Sequence, residues 1–414
     1  MLKKLKSIDS FTRNIIIVFT SASFANFLNL LFQLLIAHKL SATEFAAFNS
    51  LLAIFMLIAT PLGTLQMTIA KYSSEFNARN EKSKIKFLLS DLLKKSLLAA
   101  AVTFIIFCLA SGYIMSMLKI NSVTLGYIFA ALFVTAWVSP LLLGGAQGLE
   151  LFWWLSSASV ISGILKLVLA FIFIMLGFSV SGAMAALLIS TLICIAIAYL
   201  PIRNLISWQV PRDGINYKEI FIYMLPVAAS YFCYSALTSF DMVLVRYFFS
   251  PQDSGNYALA QMLGKIFLFL PGAISVVMFP RASGLSAKNH DTLPTLKKSL
   301  LYTFILAVLA CAFYNFFPGF VLTVLTGKAY PESILLGRLF SISMSFFALL
   351  LIPITYFLSI KDFRFIKYLL FFTLLQVIGI ISFHQSLIGV LFIICASSIM
   401  LFLTHLILAF TYRK

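Results

Sequence analysis

Three charged side chains stand inside long apolar runs, and they define what chemistry this chain can do. Lys166 follows Ser156, Ser159, Ser162 and Gly163, which fall at helical spacing on one small, polar stripe. Lys265 has Gln261 one turn earlier on the same face, and Asp241 shares a face with Thr238 and Tyr234. Charge at the centre of a bilayer costs at least about 2.5–3.5 kcal/mol, so each is a candidate functional residue. Lysines at that depth replace part of the hydration of a phosphate, and an aspartate there serves a coupling proton or sodium ion. Each also has a plainer reading. A small stripe lets a neighbouring helix pack closely, and Asp241 is equally a counter-ion for Lys166 or Lys265. Arg246, roughly 140° round the helix from Asp241, is not an i,i+4 partner and is expected to snorkel to the outer surface. Ser23, Asn26, Asn29 and Gln33 form a fourth polar face. As cleft lining it offers neutral partners for sugar hydroxyls; as packing it is interhelical glue.

The elements that must position these residues follow from composition. Of 414 residues, 62% are hydrophobic and 10% charged. A soluble domain is about half apolar and a quarter charged, so this is an all-α polytopic membrane protein. The apolar runs are continuous, which excludes the alternating strands of a barrel. About 20 apolar residues cross the hydrocarbon core. Twelve such stretches are legible: 15–37, 46–70, 96–118, 122–145, 155–177, 180–202, 219–249, 257–280, 299–325, 334–360, 365–384 and 387–411. Length alone requires the breaks between Gly177 and Ser181 and between His384 and Leu387. The basic start, MLKKLKSIDSFTR, leads into a full span and reads as a first transmembrane helix, not a cleaved signal. Cys108, Cys194, Cys233, Cys311 and Cys395 are scattered singly, as are the four histidines, so no disulfide, metal or cofactor is expected.

Charge sets the orientation. Twenty-three of the thirty basic residues fall at the two ends and in the 71–95, 203–218, 281–298 and 361–367 loops, all on one face of a twelve-span plan. Five (Lys39, Lys119, Arg246, Lys328, Arg338) fall on the other. Both termini are therefore expected in the cytoplasm of a cell inner (plasma) membrane protein. This distribution accounts for the net charge of +17 without nucleic acid.

The chain also reads as a duplication: an N-terminal six-helix lobe over 1–206, a cytoplasmic linker over 207–218, and a C-terminal six-helix lobe over 219–414. SATEFAAF at 41–48 matches SPQDSGNY at 250–257, pairing Ser41 with Ser250 and Glu44 with Asp253. Pro61 and Pro140 correspond to Pro271 and Pro353. Halves with an even number of helices enter from the same side, so the repeat is parallel and the expected shape is two lobes around a central cleft. Two lysines against one aspartate make that cleft positive and suited to an anionic ligand from the cytoplasm.

The run DMVLVRYFFSPQDSGNYALAQMLGKIFLFLPGAISVVMFPRAS, from Asp241, resembles a segment typical of polysaccharide-biosynthesis flippases. GLELFWWLSSASVISGILKLVLAF, at 148–171, resembles the same family's fourth-loop and fifth-span segment, with its buried base at Lys166. These flippases belong to the superfamily of the MATE multidrug exporters and lipid II flippases. The resemblance implies a transporter, acting by alternating access, for a lipid-linked oligosaccharide such as an O-antigen unit carried on a polyisoprenoid diphosphate. Membrane lipids and a polysaccharide polymerase are the further partners it implies. Lys166, Lys265, Asn26, Asn29, Gln33 and Gln261 are the expected substrate contacts, with Asp241 as coupling residue or counter-ion. Lipid II flippases usually carry two extra spans for which this chain has no room, which favours a surface polysaccharide unit over peptidoglycan precursor. The competing class is a cation-coupled MATE-type exporter, against which stand two buried lysines and a single carboxylate. An enzyme is not expected: DxD, HxxxxD, Walker and GxSxG motifs are absent, and the 71–95 loop is too short for a catalytic domain.

Overall fold

The computed structural model describes residues 10–207, 217–268, 290–327 and 330–411, with positions 274, 275, 278, 279, 282, 285 and 286. Among these residues every regular element is a helix. In chain order they are α1 Ser10–Lys39, α2 Ala42–Ala78, α3 Lys82–Met117, α4 Val123–Gly148, α5 Phe152–Met175, α6 Ser179–Tyr199, α7 Tyr217–Phe248, α8 Pro251–Phe267, α9 Leu293–Phe316, α10 Pro318–Thr326, α11 Pro331–Ser359, α12 Ile366–Ser382 and α13 Leu387–Thr411. A bilayer core offers no water to backbone amides, so helices are the form in which such apolar segments satisfy them. Ten of the thirteen are long and apolar enough to cross a membrane, and α12 is a shorter apolar helix. The chain is a multi-pass membrane protein. The eighth expected span, 257–280, begins within α8; its later part lies largely outside the described residues, as do Pro271 and most of the 207–218 linker.

Both breaks argued from length are present. Gly177 adopts a φ of +87°, and the Phe178 N–H donates to Phe173 O, closing α5 before α6 begins. Helix α12 stops at Ser382, five residues ahead of α13. The ninth span is corrected: 299–325 is two helices, α9 and α10. Proline has no N–H to continue a helix but suits a first turn, so Pro318 starts α10 afresh. Gly327, at φ +68°, ends it by donating to Thr323 O. Hydropathy also underestimates α2 and α3, which run for 37 and 36 residues. That is roughly 55 Å at 1.5 Å per residue, against a hydrocarbon core of about 30 Å.

The chain divides into two compact units. The first comprises Met1–Lys39 and Ile58–Ala228; the second comprises Leu40–Leu57 and Ala229–Lys414. In the first, α4 lays Gly144 and Gly148 against α2. A Cβ on Gly144 would stand 2.6 Å from Gln66 O, and one on Gly148 would stand 2.5 Å from Ala70 O and 2.7 Å from Ser73 Cβ. This small-xxx-small spacing admits the α2 backbone, and Gln66 Nε2 donates to Gln147 Oε1 at 3.0 Å across the seam. Phe107, Phe129 and Phe133 lock α3 to α4, the Phe107 and Phe133 rings stacked at 3.9 Å.

In the second unit, α8 is buried along nearly its whole length from Ser254 to Gly264. Tyr257 meets Phe340 of α11 edge-on at 4.9 Å. The Gln376 amide of α12 ties two neighbours, donating to Leu237 O of α7 and accepting from Ser397 Oγ of α13. The twin motifs serve as twin caps. Glu44 N donates to Ser41 Oγ while Glu44 Oε2 accepts from Ser41 N at 2.8 Å, and Asp253 N donates to Ser250 Oγ at 3.1 Å. The matched serines therefore stand at the same position, immediately before α2 and α8.

Gly148 separates close packing from mere helix propensity. Gly148→Ala places its Cβ on backbone atoms that cannot yield, and detergent-solubilised protein should unfold several degrees below wild type. Gly112→Ala, where nothing lies within 4 Å, should unfold at or above the wild-type temperature, since alanine gains about 0.8–1.0 kcal/mol over glycine in a helix. Equal midpoints for both variants in a thermal scan would contradict this packing account.

Candidate functional site

The expected site residues fall into two polar constellations, one in each unit. In the first unit, Gly163 of α5 lets α1 approach: a Cβ there would meet Leu28 Cδ1 at 3.0 Å. That approach carries Asn29 alongside Lys166, one turn further along α5, whose Nζ donates to Asn29 Oδ1. The ammonium also lies 4.8 Å from the centroid of the Phe32 ring, within cation–π range. About two turns before Gly163, Ser21 Oγ donates to Ser156 Oγ at 2.8 Å. The small residues of the α5 stripe pack against α1, and its lysine stands at the edge of that seam. Lys166 is half-buried, Asn26 and Asn29 are exposed, and Gln33 is half-buried. Among the described residues no carboxylate forms an ion pair with Lys166. A lysine, two asparagines and Ser23, left open together on transmembrane helices, require water or a polar ligand, because hydrocarbon gives them no partner.

The second constellation is closed. Asp241 of α7 is 1% exposed. Its Oδ2 accepts from Tyr257 OH at 2.6 Å, and Gln261 Nε2 lies 2.9 Å from both carboxylate oxygens. Lys265, a turn beyond Gln261 on α8, is close enough to interact with the carboxylate electrostatically. Tyr257, Gln261 and Lys265 fall at i, i+4 and i+8, so one face of α8 presents a hydroxyl, an amide and an ammonium to a single acid. Every one of these groups is a donor. A metal ion at Asp241 would need acceptors, and among the described residues no three His, Cys, Asp or Glu side chains gather to hold one. The arrangement is a buried carboxylate hydrogen-bonded by Tyr257 and Gln261, with Lys265 near enough to act on it electrostatically.

The expected site residues therefore separate. Lys166, Asn26, Asn29 and Gln33 belong to the open face of the first unit. Gln261, 1% exposed, is turned to Asp241, and Lys265 is half-buried beside it. Arg246 is a correction: it is 3% exposed, packed within the second unit and not extended to a surface. The stretch of α7 from Asp241 to Arg246 is buried on every side, which the linear spacing did not reveal. Tyr257 was legible only as half of a repeat; the i+4 and i+8 positions of Gln261 and Lys265 were the signal that it shares their target. The pairing of Lys166 with Asn29 spans 137 positions in the chain and has no local signal.

These features define an α-helical membrane protein in which, among the described residues, one unit buries a hydrogen-bonded carboxylate and the other holds a half-buried lysine with neutral partners. Among solved structures the chain is similar to an inward-facing multidrug resistance MATE family transporter of the MOP superfamily, at 17% identity and a TM-score of 0.75, covering 92% of this chain and 94% of that one. It is similar to the lipid II flippase MurJ in an inward closed conformation, at 16% identity and a TM-score of 0.74, covering 96% and 88%. A MOP superfamily transporter from Pyrococcus furiosus Vc1, described by the reverse polarity of its binding pocket, matches at 17% identity and a TM-score of 0.59, covering 95% of each chain. At these identities the likeness establishes the fold, the two-lobe helical fold of MOP superfamily transporters. No curated protein matches the sequence. The chain belongs to the polysaccharide biosynthesis protein family, whose model matches residues 11–286.

The donor face of α8 makes a quantitative prediction. Tyr257→Phe removes one charge-assisted hydrogen bond and should lower stability by about 1–2 kcal/mol. Asp241→Asn should cost more, by leaving Lys265 without its counter-ion. Combined, the two should lose clearly less than their sum, because they share one carboxylate. Strict additivity in thermal or denaturant unfolding would mean that Tyr257 and Asp241 do not act on each other.

Proposed function

We propose that this protein is a flippase that carries a polyisoprenoid-diphosphate-linked oligosaccharide from the cytoplasmic to the outer leaflet for surface polysaccharide synthesis. The observation that carries this reading is Lys166, a mid-helix cation whose partners among the described residues are the neutral Asn29 and Phe32. A phosphate oxygen accepts from a lysine ammonium as a point charge, without displacing a carboxylate. Asn26, Asn29 and Gln33 add neutral donors and acceptors of the type sugar hydroxyls need. The lipid tail can stay in the bilayer while the headgroup follows this polar face. Family membership supports polysaccharide chemistry, and the MurJ-like fold supports a lipid-linked cargo.

The protein then sits in the cell inner membrane with both termini cytoplasmic, as its basic loops require, and works by alternating access of two lobes, 1–206 and 219–414, joined by the 207–218 linker. A polysaccharide polymerase is the partner expected to consume its product. The MATE-type exporter reading is the less favoured one. Cationic drugs need an available carboxylate, and Asp241 is already engaged by Tyr257, Gln261 and Lys265. Asp241 serves here as the counter-ion that lets Lys265 remain at mid-depth.

The test is a deletion strain complemented with variants. Loss of the protein should raise the pool of polyisoprenoid-linked oligosaccharide, measured by mass spectrometry of extracted lipids, with unchanged sensitivity to cationic drugs. Lys166→Gln should express and insert normally yet transport about ten- to a hundredfold more slowly, the equivalent of one charged hydrogen bond. Lys166→Arg should retain part of the rate. Normal lipid pools together with drug hypersensitivity would transfer the assignment to the exporter class.

A further inference from the structure

Arg338 is a cation that neither constellation uses. It lies in α11, near the start of the helix at Pro331, and its side chain is exposed. At 1.5 Å per residue it stands about 10 Å along the axis. The 29 residues of α11 extend about 43 Å, the thickness of a bilayer with its headgroup regions, of which hydrocarbon is about the central 30 Å. The guanidinium is therefore near the boundary between headgroups and hydrocarbon.

Its setting is fixed within the second unit. Gly337, the residue before it, brings α11 up to α9: a Cβ there would stand 2.1 Å from Tyr314 Oη, and that hydroxyl donates to Ile334 O at 3.3 Å. Arg338 is close enough to Tyr314 to act on it electrostatically. One turn further along α11, Ser341 Oγ accepts from Asn315 Nδ2 at 3.2 Å, and the same nitrogen donates to Cys311 O at 2.9 Å. Among the described residues no carboxylate forms an ion pair with Arg338. Glu332, the single acid of α11, lies roughly 120° round the helix and accepts from Asn256 Nδ2 of α8. On the face of Arg338 itself, the neighbours at i−3 and i+4 are Leu335 and Ile342, both exposed. Phe313 and Phe316, in the last turn of α9, are exposed as well.

An arginine at this depth among exposed apolar side chains needs an anion, which hydrocarbon does not contain and a lipid headgroup does. We propose that Arg338 is the centre of a binding site for an anionic phospholipid, with its guanidinium on the phosphodiester and the acyl chains along Leu335, Ile342 and the α9 phenylalanines. The planar fork suits two oxygens of one phosphate. One cation also matches the single negative charge of a phosphodiester, whereas the diphosphate of the proposed cargo carries more charge than one arginine neutralises. The plainer use of such a residue is to snorkel into water, which would give no preference among lipids. On the proposed orientation the bound lipid stands in the outer leaflet; the site itself does not depend on the cargo.

The test is native mass spectrometry of the full-length protein in detergent, titrated with phosphatidylglycerol or with phosphatidylcholine. The first phosphatidylglycerol should bind wild type about tenfold more tightly than Arg338→Gln, the loss expected for one charged hydrogen-bonded contact. Arg338→Lys, which keeps the charge without the fork, should fall between them. Phosphatidylcholine should not distinguish the three proteins. Unfolding midpoints in detergent report whether each variant is folded. If Arg338→Gln is not, the lysine variant and the wild-type preference for phosphatidylglycerol decide the matter. Equal affinity of wild type and a folded Arg338→Gln for phosphatidylglycerol would overturn the site, as would a loss confined to farnesyl diphosphate, a short analogue of the cargo. Lipid pools in the deletion strain test the cargo and these titrations test Arg338, so either reading can fail alone.

Discussion

The cost of charge in an apolar interior governs this molecule. Removing a carboxylate or ammonium from water costs several kcal/mol, recovered only where partners are well placed. The two units meet that cost in different ways. In the second, α8 turns a hydroxyl and an amide to Asp241, with the Lys265 ammonium near enough to act on it electrostatically. In the first, Lys166 has neutral partners and an open side. Two halves that share a capped helix start and a similar proline pattern thus differ at the position where chemistry is decided. The acid has donors from its own unit, and the lysine has neutral partners only among the described residues.

The helical framework was legible because each helix has a local cause. Apolar length gave both the spans and the need for breaks near Gly177 and His384. Ser41 and Ser250 marked two helix starts that the structure places at matching positions. What hydropathy could not register is helix that continues through polar residues, as in the end of α2 and the beginning of α3. There propensity and i,i+3 or i,i+4 pairs such as Glu81–Lys84 and Asp91–Lys95 sustain the ladder outside the apolar window. Pro318 was read through because the residues on both sides are apolar, although a proline restarts a helix whatever its neighbours.

Site residues were legible by type but not by partner. A lysine in a membrane span announces itself, yet whether it is compensated depends on residues far away in sequence. Lys265 had its acid on the preceding helix and a donor row in its own i,i+4 register, so a counter-ion could be proposed. Asn29, the partner of Lys166, sits on another helix and is one of several polar residues on its face. Arg246 shows the limit from the other side. A basic residue near a helix end commonly snorkels, but this end of α7 is covered by neighbouring elements, and burial of that kind is a tertiary property.

The neutral company of Lys166 bears on how an anion could be both held and released. Had a carboxylate paired with it, an arriving phosphate would have to break a buried ion pair, at a cost of about 3–5 kcal/mol for the abandoned charge. Asn29 and Phe32 orient the ammonium without cancelling it, so the gain on binding is the full interaction less the water shed by both ions. When the anion leaves, the lysine returns to partners that tolerate it and to the open side where water can re-enter. On the proposed reading, such binding would be strong enough to guide a charged headgroup and weak enough to give it up, as passage of that group through a membrane requires.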